Sequence, residues 1–197
     1  QISDSGFFLV SKTIGSTPCF LNSIAVSYPL SLFVNRIFFS PQATPNKSAY
    51  LLIADESKIP GRTMITNING LSMHILEAGF EESINKPCVI LLHGFPELAY
   101  SWRKILKPLA DAGYHVIAPD QRGYGYTDGW KNNYEGDISE YEISNLITDI
   151  ISLVYSLDKK AIDCLVGHDF GSIVAAHAAV IRPDIFKSVV LMSAPFN

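Results

Sequence analysis

Short apolar runs alternate with segments of helical periodicity over most of the chain after residue 61. Residues 63–67 and 71–77 are predicted to be two strands joined by Asn69-Gly70, a pair that favours a hairpin turn. The continuous apolar run at 87–92 is typical of a strand covered on both faces of a sheet. Three further strands are predicted at 115–118, 161–166 and 188–192.

Three helices are predicted between these strands. The first spans 101–112 and ends at Gly113, and the last spans 172–181 and is rich in Ala and Val. The middle helix, capped by Asp137 or Ser139, carries apolar residues at three- and four-residue intervals: Ile143, Leu146, Ile147, Ile150, Val154 and Leu157. An opening hairpin followed by alternating strand and helix predicts an α/β fold, with a mostly parallel sheet and helices on both faces.

Residues 1–61 have a different character, with no clear period and with scattered Ser, Pro and Asn. Polar residues and a proline interrupt the apolar run at 20–39, whereas a membrane-spanning helix needs about 20 nearly unbroken apolar residues. We therefore expect no membrane segment, and an extension of unclear structure or disorder ahead of a folded core at 62–197. A secretory signal within 1–61 stays open, although its basic flank is weak.

Composition excludes several classes of protein. The chain has 197 residues, of which 48% are hydrophobic, enough for one domain with a real core. A formal net charge of −4 without a basic cluster argues against a nucleic-acid partner. The three cysteines, Cys19, Cys88 and Cys164, are too few and too scattered for a disulfide framework or a zinc site. A reducing compartment, the cytoplasm, is the expected location, with membrane association or secretion through residues 1–61 left open.

The most informative stretch is Gly-His-Asp-Phe-Gly at 167–171, between a predicted buried strand and a helix. Gly167 and Gly171 flank Asp169 at a spacing of two, as a sharp turn that excludes side chains would require. A carboxylate presented there attacks an alkyl carbon and leaves an ester, and it needs no base to deprotonate it first.

A second motif, His-Gly-Phe-Pro-Glu at 93–97, follows the strand at 87–92. Gly94 and Pro96 are expected to fix a bend that leaves the amide of Phe95 free to point into a cleft. The amide of Phe170, at the start of a helix, would be a second donor. Because parallel strands collect ligands at their carboxyl ends, the two motifs predict an acyl- or alkyl-transfer site around Asp169.

These motifs occur together with Tyr-Ser-Trp-Arg at 100–103, Ala-Gly-Tyr at 112–114 and Asp-Gln-Arg-Gly-Tyr-Gly at 120–125. In this order and spacing, residues 62–197 resemble the first half of the catalytic domain of the α/β-hydrolase superfamily, and most closely its epoxide hydrolase branch.

The resemblance implies a two-step hydrolysis of a small apolar epoxide to a 1,2-diol, with no metal or organic cofactor. Asp169 would open the epoxide and form an alkyl ester, which water activated by a histidine then hydrolyses. The Phe95 and Phe170 amides would bind the oxyanion. Substrate contacts are expected from the side chains of Phe95, Phe170, Trp102 and Ile173. Structural roles at the site are expected for His93, Gly94, Pro96, Gly167, His168 and Gly171.

The departures from the family pattern are as important. The family's ring-opening tyrosines lie in a cap after the sixth strand, and its acid and catalytic histidine lie beyond that cap. The chain begins at Gln1 and ends at Asn197, before all of them. We therefore expect a fragment, truncated before the cap and the last strands, that cannot turn the ester over. Its last strand, at 188–192, is expected to be an unpaired edge.

Two alternatives remain. Haloalkane and haloacid dehalogenases share the Asp nucleophile, but they hold the departing halide with side-chain N–H groups, which Phe95 and Phe170 lack; this difference favours epoxides. A non-catalytic binding protein is the other alternative, because no histidine of the chain is a convincing base and a fold does not fix a function.

Overall fold

The structure is a computed structural model that describes residues 12–13, 61–81, 85–130 and 138–193. Apart from Lys12–Thr13 and Gly61, the predicted extension at 1–61 lies outside the described residues, as does Cys19. Within the described part of the chain, no helix has the length and apolar character needed to cross a membrane.

The described residues form a seven-stranded sheet in the order β1-β7-β6-β4-β5-β3-β2. The strands are β1 (Lys12–Thr13), β2 (Arg62–Ile68), β3 (Leu71–Ala78), β4 (Cys88–Leu92), β5 (His115–Pro119), β6 (Cys164–His168) and β7 (Ser188–Met192). The four central strands β5, β4, β6 and β7 are parallel, and the β2–β3 hairpin and β1 pair antiparallel at the two sides. The predicted α/β fold with a mostly parallel sheet is confirmed.

In the described part of the chain, three α-helices connect the strands: α1 (Arg103–Asp111), α2 (Ile143–Ser156) and α3 (Phe170–Ile181). Short 3-10 helices precede the first two, at Ala99–Trp102 and Ile138–Tyr141. The expected cap of α2 at Ser139 is wrong, because Ser139 lies in the 3-10 turn and Glu142 precedes the helix. The Ser139 carbonyl accepts hydrogen bonds from the Glu142 N–H and the Asn145 side chain. Asp137 lies outside the described residues.

The core lies on both faces of the sheet. Ile90, Ile117 and Leu165 pack into one cluster together with α2 and α3. The residues next to these along each strand point to the other face of the sheet, because successive side chains of a strand alternate between faces. There they pack into a second cluster together with α1. This two-sided burial explains the continuous apolar runs of the central strands and confirms the predicted helices on both faces. Cys88 and Cys164 are both buried in these strands.

The outer side of β7 is partly covered. Lys12 pairs with Val189, and Thr13 pairs with Ser188, both antiparallel. The expectation of an unpaired edge is therefore wrong at these two positions of β7.

The register of β4 and β6 determines where the candidate motifs meet. These two strands are parallel neighbours, and Leu92 at the end of β4 lies opposite Gly167 in β6. The segments that follow, 93–97 and 169–171, therefore leave the same edge of the sheet side by side.

Candidate active site

Asp169 occupies a sharp turn between β6 and α3. Its backbone has φ 51° and ψ −119°, a conformation that residues other than glycine rarely adopt. The Asp169 N–H donates to the Met192 carbonyl, and its carbonyl accepts from the Ser172 N–H, both at 2.9 Å. The turn is therefore fixed from β7 on one side and from the first turn of α3 on the other.

The glycines on either side of Asp169 are required by close packing. A Cβ atom on Gly167 would lie 2.3 Å from the Gly171 carbonyl oxygen, and one on Gly171 would lie 2.5 Å from the Leu92 carbonyl oxygen. Atoms cannot approach that closely without a backbone shift. The spacing of the two glycines thus reflects contacts across the turn and with the end of β4.

The Ser172 hydroxyl joins the turn to β7. Its Oγ lies 2.7 Å from the Gly167 carbonyl and 2.8 Å from the Met192 carbonyl, and it accepts the Met192 N–H at 3.0 Å. With 1% of its surface exposed, Ser172 is a structural hydroxyl rather than a presented nucleophile.

The Asp169 carboxylate meets the segment after β4. The Phe95 N–H donates to Asp169 Oδ1 at 2.9 Å. A Cβ atom on Gly94 would lie 2.6 Å from the Cβ of Asp169, so only glycine permits this approach. Among the described residues, Asp169 forms no ion pair, its Oδ2 has no hydrogen-bond partner, and the Phe170 N–H makes no bond to the carboxylate. The roles of the Phe95 and Phe170 amides as oxyanion donors stay predictions.

Glu97 links the loop after β4 to His168, the last residue of β6. Its Oε2 accepts the Gly94 N–H at 3.1 Å and lies 2.9 Å from Nδ1 of His168. The hydrogen bond with Glu97 raises the pKa of His168, against the opposing effect of burial. Burial alone would raise the pKa of Glu97, but the hydrogen bond and the charge of His168 lower it. The hydrogen bond between Glu97 and His168 therefore joins the loop after β4 to the residue before Asp169.

His93 lies beneath the same loop and is fully buried. Its Nδ1 lies 2.9 Å from the Gly94 carbonyl oxygen, and its Nε2 accepts the Gln121 N–H at 3.1 Å. Burial lowers the pKa of His93, and its Nε2 carries no proton because it accepts a hydrogen bond, so the imidazole is neutral. The peptide bond between Phe95 and Pro96 is cis.

The other candidate substrate contacts differ in exposure. The Phe95 side chain is 69% exposed and Ile173 is 38% exposed, whereas Phe170 is partly buried against the core. Trp102 is buried in the cluster with α1, and its indole N–H has no partner among the described residues. Packing accounts for Trp102, and its contact with substrate stays a prediction.

Tyr124 is a residue of this region that the sequence patterns did not single out. Its ring meets His93 edge-on at 4.8 Å, and burial together with the negative charge of Asp169 raises its pKa. The available signal was its position in Gly-Tyr-Gly at 123–125, in the loop that leaves the same end of the sheet. A contact of this kind needs the fold to be known.

The remaining histidines have partners away from Asp169. His74 lies 2.8 Å from buried Asp120, His115 lies 2.6 Å from buried Glu77, and His177 lies against the carbonyl of its own helix. None of these three contacts involves Asp169. Over the described ranges, no cluster of His, Cys, Asp and Glu suits a metal ion.

Comparisons with known proteins show the family to which the chain belongs. A family model described as the alpha/beta hydrolase fold matches residues 87–197. Epoxide hydrolase A of Mycobacterium tuberculosis is 41% identical over 132 residues, which cover 66% of this chain and 38% of that protein. An AB hydrolase superfamily protein of Bacillus subtilis is 44% identical over 135 residues, covering 68% of this chain and 44% of its own length.

Solved structures give the same result. The crystal structure of an epoxide hydrolase from Vigna radiata superimposes with a TM-score of 0.61 at 40% identity, covering 69% of this chain and 41% of that one. The structure of epoxide hydrolase I from potato, Solanum tuberosum, gives a TM-score of 0.58 at 37% identity, covering 65% of this chain and 38% of that one. The chain thus spans about two fifths of the length of the relatives that it matches.

Proposed function

Because this chain belongs to the α/β-hydrolase family, within its epoxide hydrolase branch, we propose that the full-length protein hydrolyses epoxides to 1,2-diols through an alkyl ester on Asp169. The observation that supports it best is the hydrogen bond from the Phe95 N–H to Asp169 Oδ1, which leaves Oδ2 without a partner among the described residues.

In the first step, Oδ2 of Asp169 attacks one epoxide carbon as the ring C–O bond breaks. The products are an ester and an alkoxide, and the alkoxide must take up one proton. Because Oδ1 is already bound by the Phe95 N–H, the carboxylate is oriented and its other oxygen is available for attack.

In the second step, a water attacks the carbonyl carbon of the ester. Negative charge then develops on Oδ1, which is the oxygen that the Phe95 N–H contacts. A donor in that position stabilises the transition state, and losing one typically costs about 2.7–4 kcal/mol of barrier. Collapse of this intermediate releases the diol and restores the carboxylate.

The histidine that activates this water must come from outside the described residues. The nearest one in sequence, His168, is held by Glu97, and consecutive residues at a tight turn point apart. The chain spans about two fifths of its relatives' length, so we assign the base and the ring-opening proton donor to the rest of the full-length protein.

The substrate class follows from the side chains around the carboxylate. Phe95, whose N–H contacts Asp169, and Ile173, in the first turn of α3, are exposed apolar side chains, and neither Phe95 nor Phe170 carries a side-chain N–H that could hold a halide. We therefore assign an uncharged, apolar epoxide as the substrate class.

The test is a rapid mix of the full-length protein with styrene oxide, followed by acid quench and mass spectrometry of the peptide that contains Asp169. A mass increase equal to one epoxide is expected. It should be absent in Asp169→Asn and present in Asp111→Asn, a matched change at an exposed carboxylate that pairs with Lys107.

Other results would point elsewhere. Halide release from chloroalkanes without diol formation would indicate a dehalogenase. A folded protein that binds epoxides but forms neither adduct nor diol would indicate a binding protein, and the proposal would be wrong.

A further inference from the structure

We infer that His93 and Gln121 are positioning residues: they determine the direction in which the Gly94–Phe95 peptide presents its N–H to Asp169. This inference rests on the proposed function, because it concerns the donor for the oxyanion of the second step. Neither residue touches the carboxylate, so both would act through the peptide.

The imidazole of His93 is sealed from solvent. His93 is 0% exposed and Gln121 is 4% exposed, and the ring of Tyr124 covers the imidazole edge-on at 4.8 Å. In such a place, the hydrogen-bond partners rather than water decide which nitrogen carries the proton.

Two contacts fix the same tautomer. The Gln121 backbone N–H points at Nε2 of His93 at 3.1 Å, and since an amide N–H can only donate, Nε2 must be the acceptor. The single proton of the neutral imidazole is therefore on Nδ1, which donates to the Gly94 carbonyl at 2.9 Å. The Gln121 side chain adds a second link, from its amide nitrogen to the His93 carbonyl at 2.6 Å.

The direction of the Phe95 N–H follows from this bond. The Gly94 carbonyl and the Phe95 N–H belong to one planar trans peptide and point in opposite directions. His93 Nδ1 and the Glu97 N–H both hold the carbonyl at 2.9 Å, so the Phe95 N–H is turned toward Asp169 Oδ1. A flip of this peptide would break all three hydrogen bonds and present a carbonyl to a carboxylate.

The same bonds strengthen the donor. A hydrogen bond accepted by a peptide carbonyl polarises the peptide and makes its N–H a better donor, because hydrogen bonds in a chain reinforce one another. A continuous path of this kind runs from Gln121 through His93 and the Gly94–Phe95 peptide to Asp169 Oδ1.

The two chemical steps depend on this donor differently. During alkylation, Oδ1 loses negative charge as the carboxylate becomes an ester, so the donor stabilises no developing charge there. It helps only to orient a carboxylate whose backbone is already held by the bonds to Met192 and Ser172. During ester hydrolysis, Oδ1 gains a full negative charge, so the same donor helps strongly. A positioning role of His93 therefore predicts a selective loss in the second step.

The experiment measures both rates in the full-length protein by rapid-quench mass spectrometry of the Asp169 ester with styrene oxide. In His93→Leu, hydrolysis of the ester should slow by about 10- to 100-fold, less than the 10²- to 10³-fold typical of deleting a donor outright. Alkylation should change by no more than about 3-fold, and the ester should accumulate. Gln121→Met keeps the backbone N–H and loses one side-chain hydrogen bond, so hydrolysis should slow by about 2- to 10-fold.

A second variant keeps the test valid if His93→Leu folds poorly. In His93→Asn, the side-chain amide can place an N–H near the position of Nδ1, and ester hydrolysis should return to within about 5-fold of wild type. His177→Asn, a change at a histidine on α3 away from the carboxylate, is the matched control and should leave both rates unchanged.

Two failures are distinguishable. If the wild-type protein forms no ester on Asp169, the proposed function is wrong. If wild type forms the ester but His93→Leu and His93→Asn slow both steps equally, or neither step, then His93 does not position the donor and the inference is overturned.

Discussion

Replacing Gly94 with alanine should displace the carboxylate of Asp169, the proposed nucleophile, from its position beside the Phe95 N–H. The added Cβ would lie 2.6 Å from the Cβ of Asp169, 3.0 Å from its Oδ1 and 3.1 Å from the carbonyl oxygen of His168. Ordinary contacts between carbon atoms are about 3.5–4.0 Å, so the two loops must part by about 1 Å. A misplacement of that size can cost about 100-fold in rate.

The expected result is a loss of about 100-fold in the rate of ester formation by the full-length protein, measured as the burst of Asp169 adduct. Overpacking should also lower the free energy of unfolding by about 1–3 kcal/mol, measured by chemical denaturation. The loss of activity should persist at temperatures where the variant is fully folded.

Gly113→Ala is the matched control. Gly113 has φ +94°, and a Cβ there would meet nothing within 4 Å. The left-handed backbone should cost alanine about 1–2 kcal/mol of stability, with no contact to the site. Similar destabilisation with normal ester formation is therefore expected. The reasoning is refuted if Gly94→Ala forms the ester at the wild-type rate, or if Gly113→Ala loses activity to the same extent.

Two further predictions concern charged pairs. The raised pKa of His168 stabilises the folded protein fully below pH 6.5, its ordinary value, and this contribution is lost as pH rises through the folded-state pKa. The lowered pKa of Glu97 stabilises the folded protein above pH 4.5, and that contribution is lost as pH falls through the folded-state pKa. Glu97→Gln should therefore destabilise the protein most between about pH 4.5 and 6.5. If the variant and the wild type differ in free energy of unfolding by the same amount at pH 5.5 and at pH 9, this prediction is contradicted. Arg122→Met should lower the free energy of unfolding by about 3–5 kcal/mol, because buried Asp149 loses the guanidinium that it binds at 2.8 and 2.9 Å. The double variant Arg122→Met with Asp149→Leu should regain much of this free energy in the same denaturation assay. If instead the losses of the two single variants add up in the double variant, the pairing is contradicted.

The elements that local sequence specifies were predictable. Asn69-Gly70 forms the turn between β2 and β3, and the central strands follow their apolar runs to within a few residues. The start of α2 was not predictable, because a 3-10 turn includes Ser139, which was expected to cap the helix. Contacts of the Ser139 carbonyl hold that turn, and they leave no pattern in the local sequence. Partial cover of β7 by β1 was missed for a similar reason: a two-residue pairing has no detectable period.

Within the candidate site, the residue types were predictable and their partners were not. The sequence pointed to Asp169 and to the amide of Phe95, which lie 74 residues apart and meet at 2.9 Å. It gave no sign that Glu97 bonds to His168 across 71 residues, or that Gln121 bonds to His93 across 28. Polar partners that distant are brought together only by strand order, which a single sequence does not specify.

Hydrogen bonds from several elements explain how the unfavourable backbone conformation of Asp169 persists. A non-glycine residue at φ 51° and ψ −119° costs of order 1–3 kcal/mol and survives only where its surroundings over-determine it. Bonds from β7 and α3 hold the Asp169 backbone, and the Phe95 N–H holds its carboxylate. Because these contacts come from three separate elements, no single one needs to supply the whole strain energy. Hence changes such as Gly94→Ala should misalign the carboxylate without unfolding the sheet, which is what makes loss of rate separable from loss of fold.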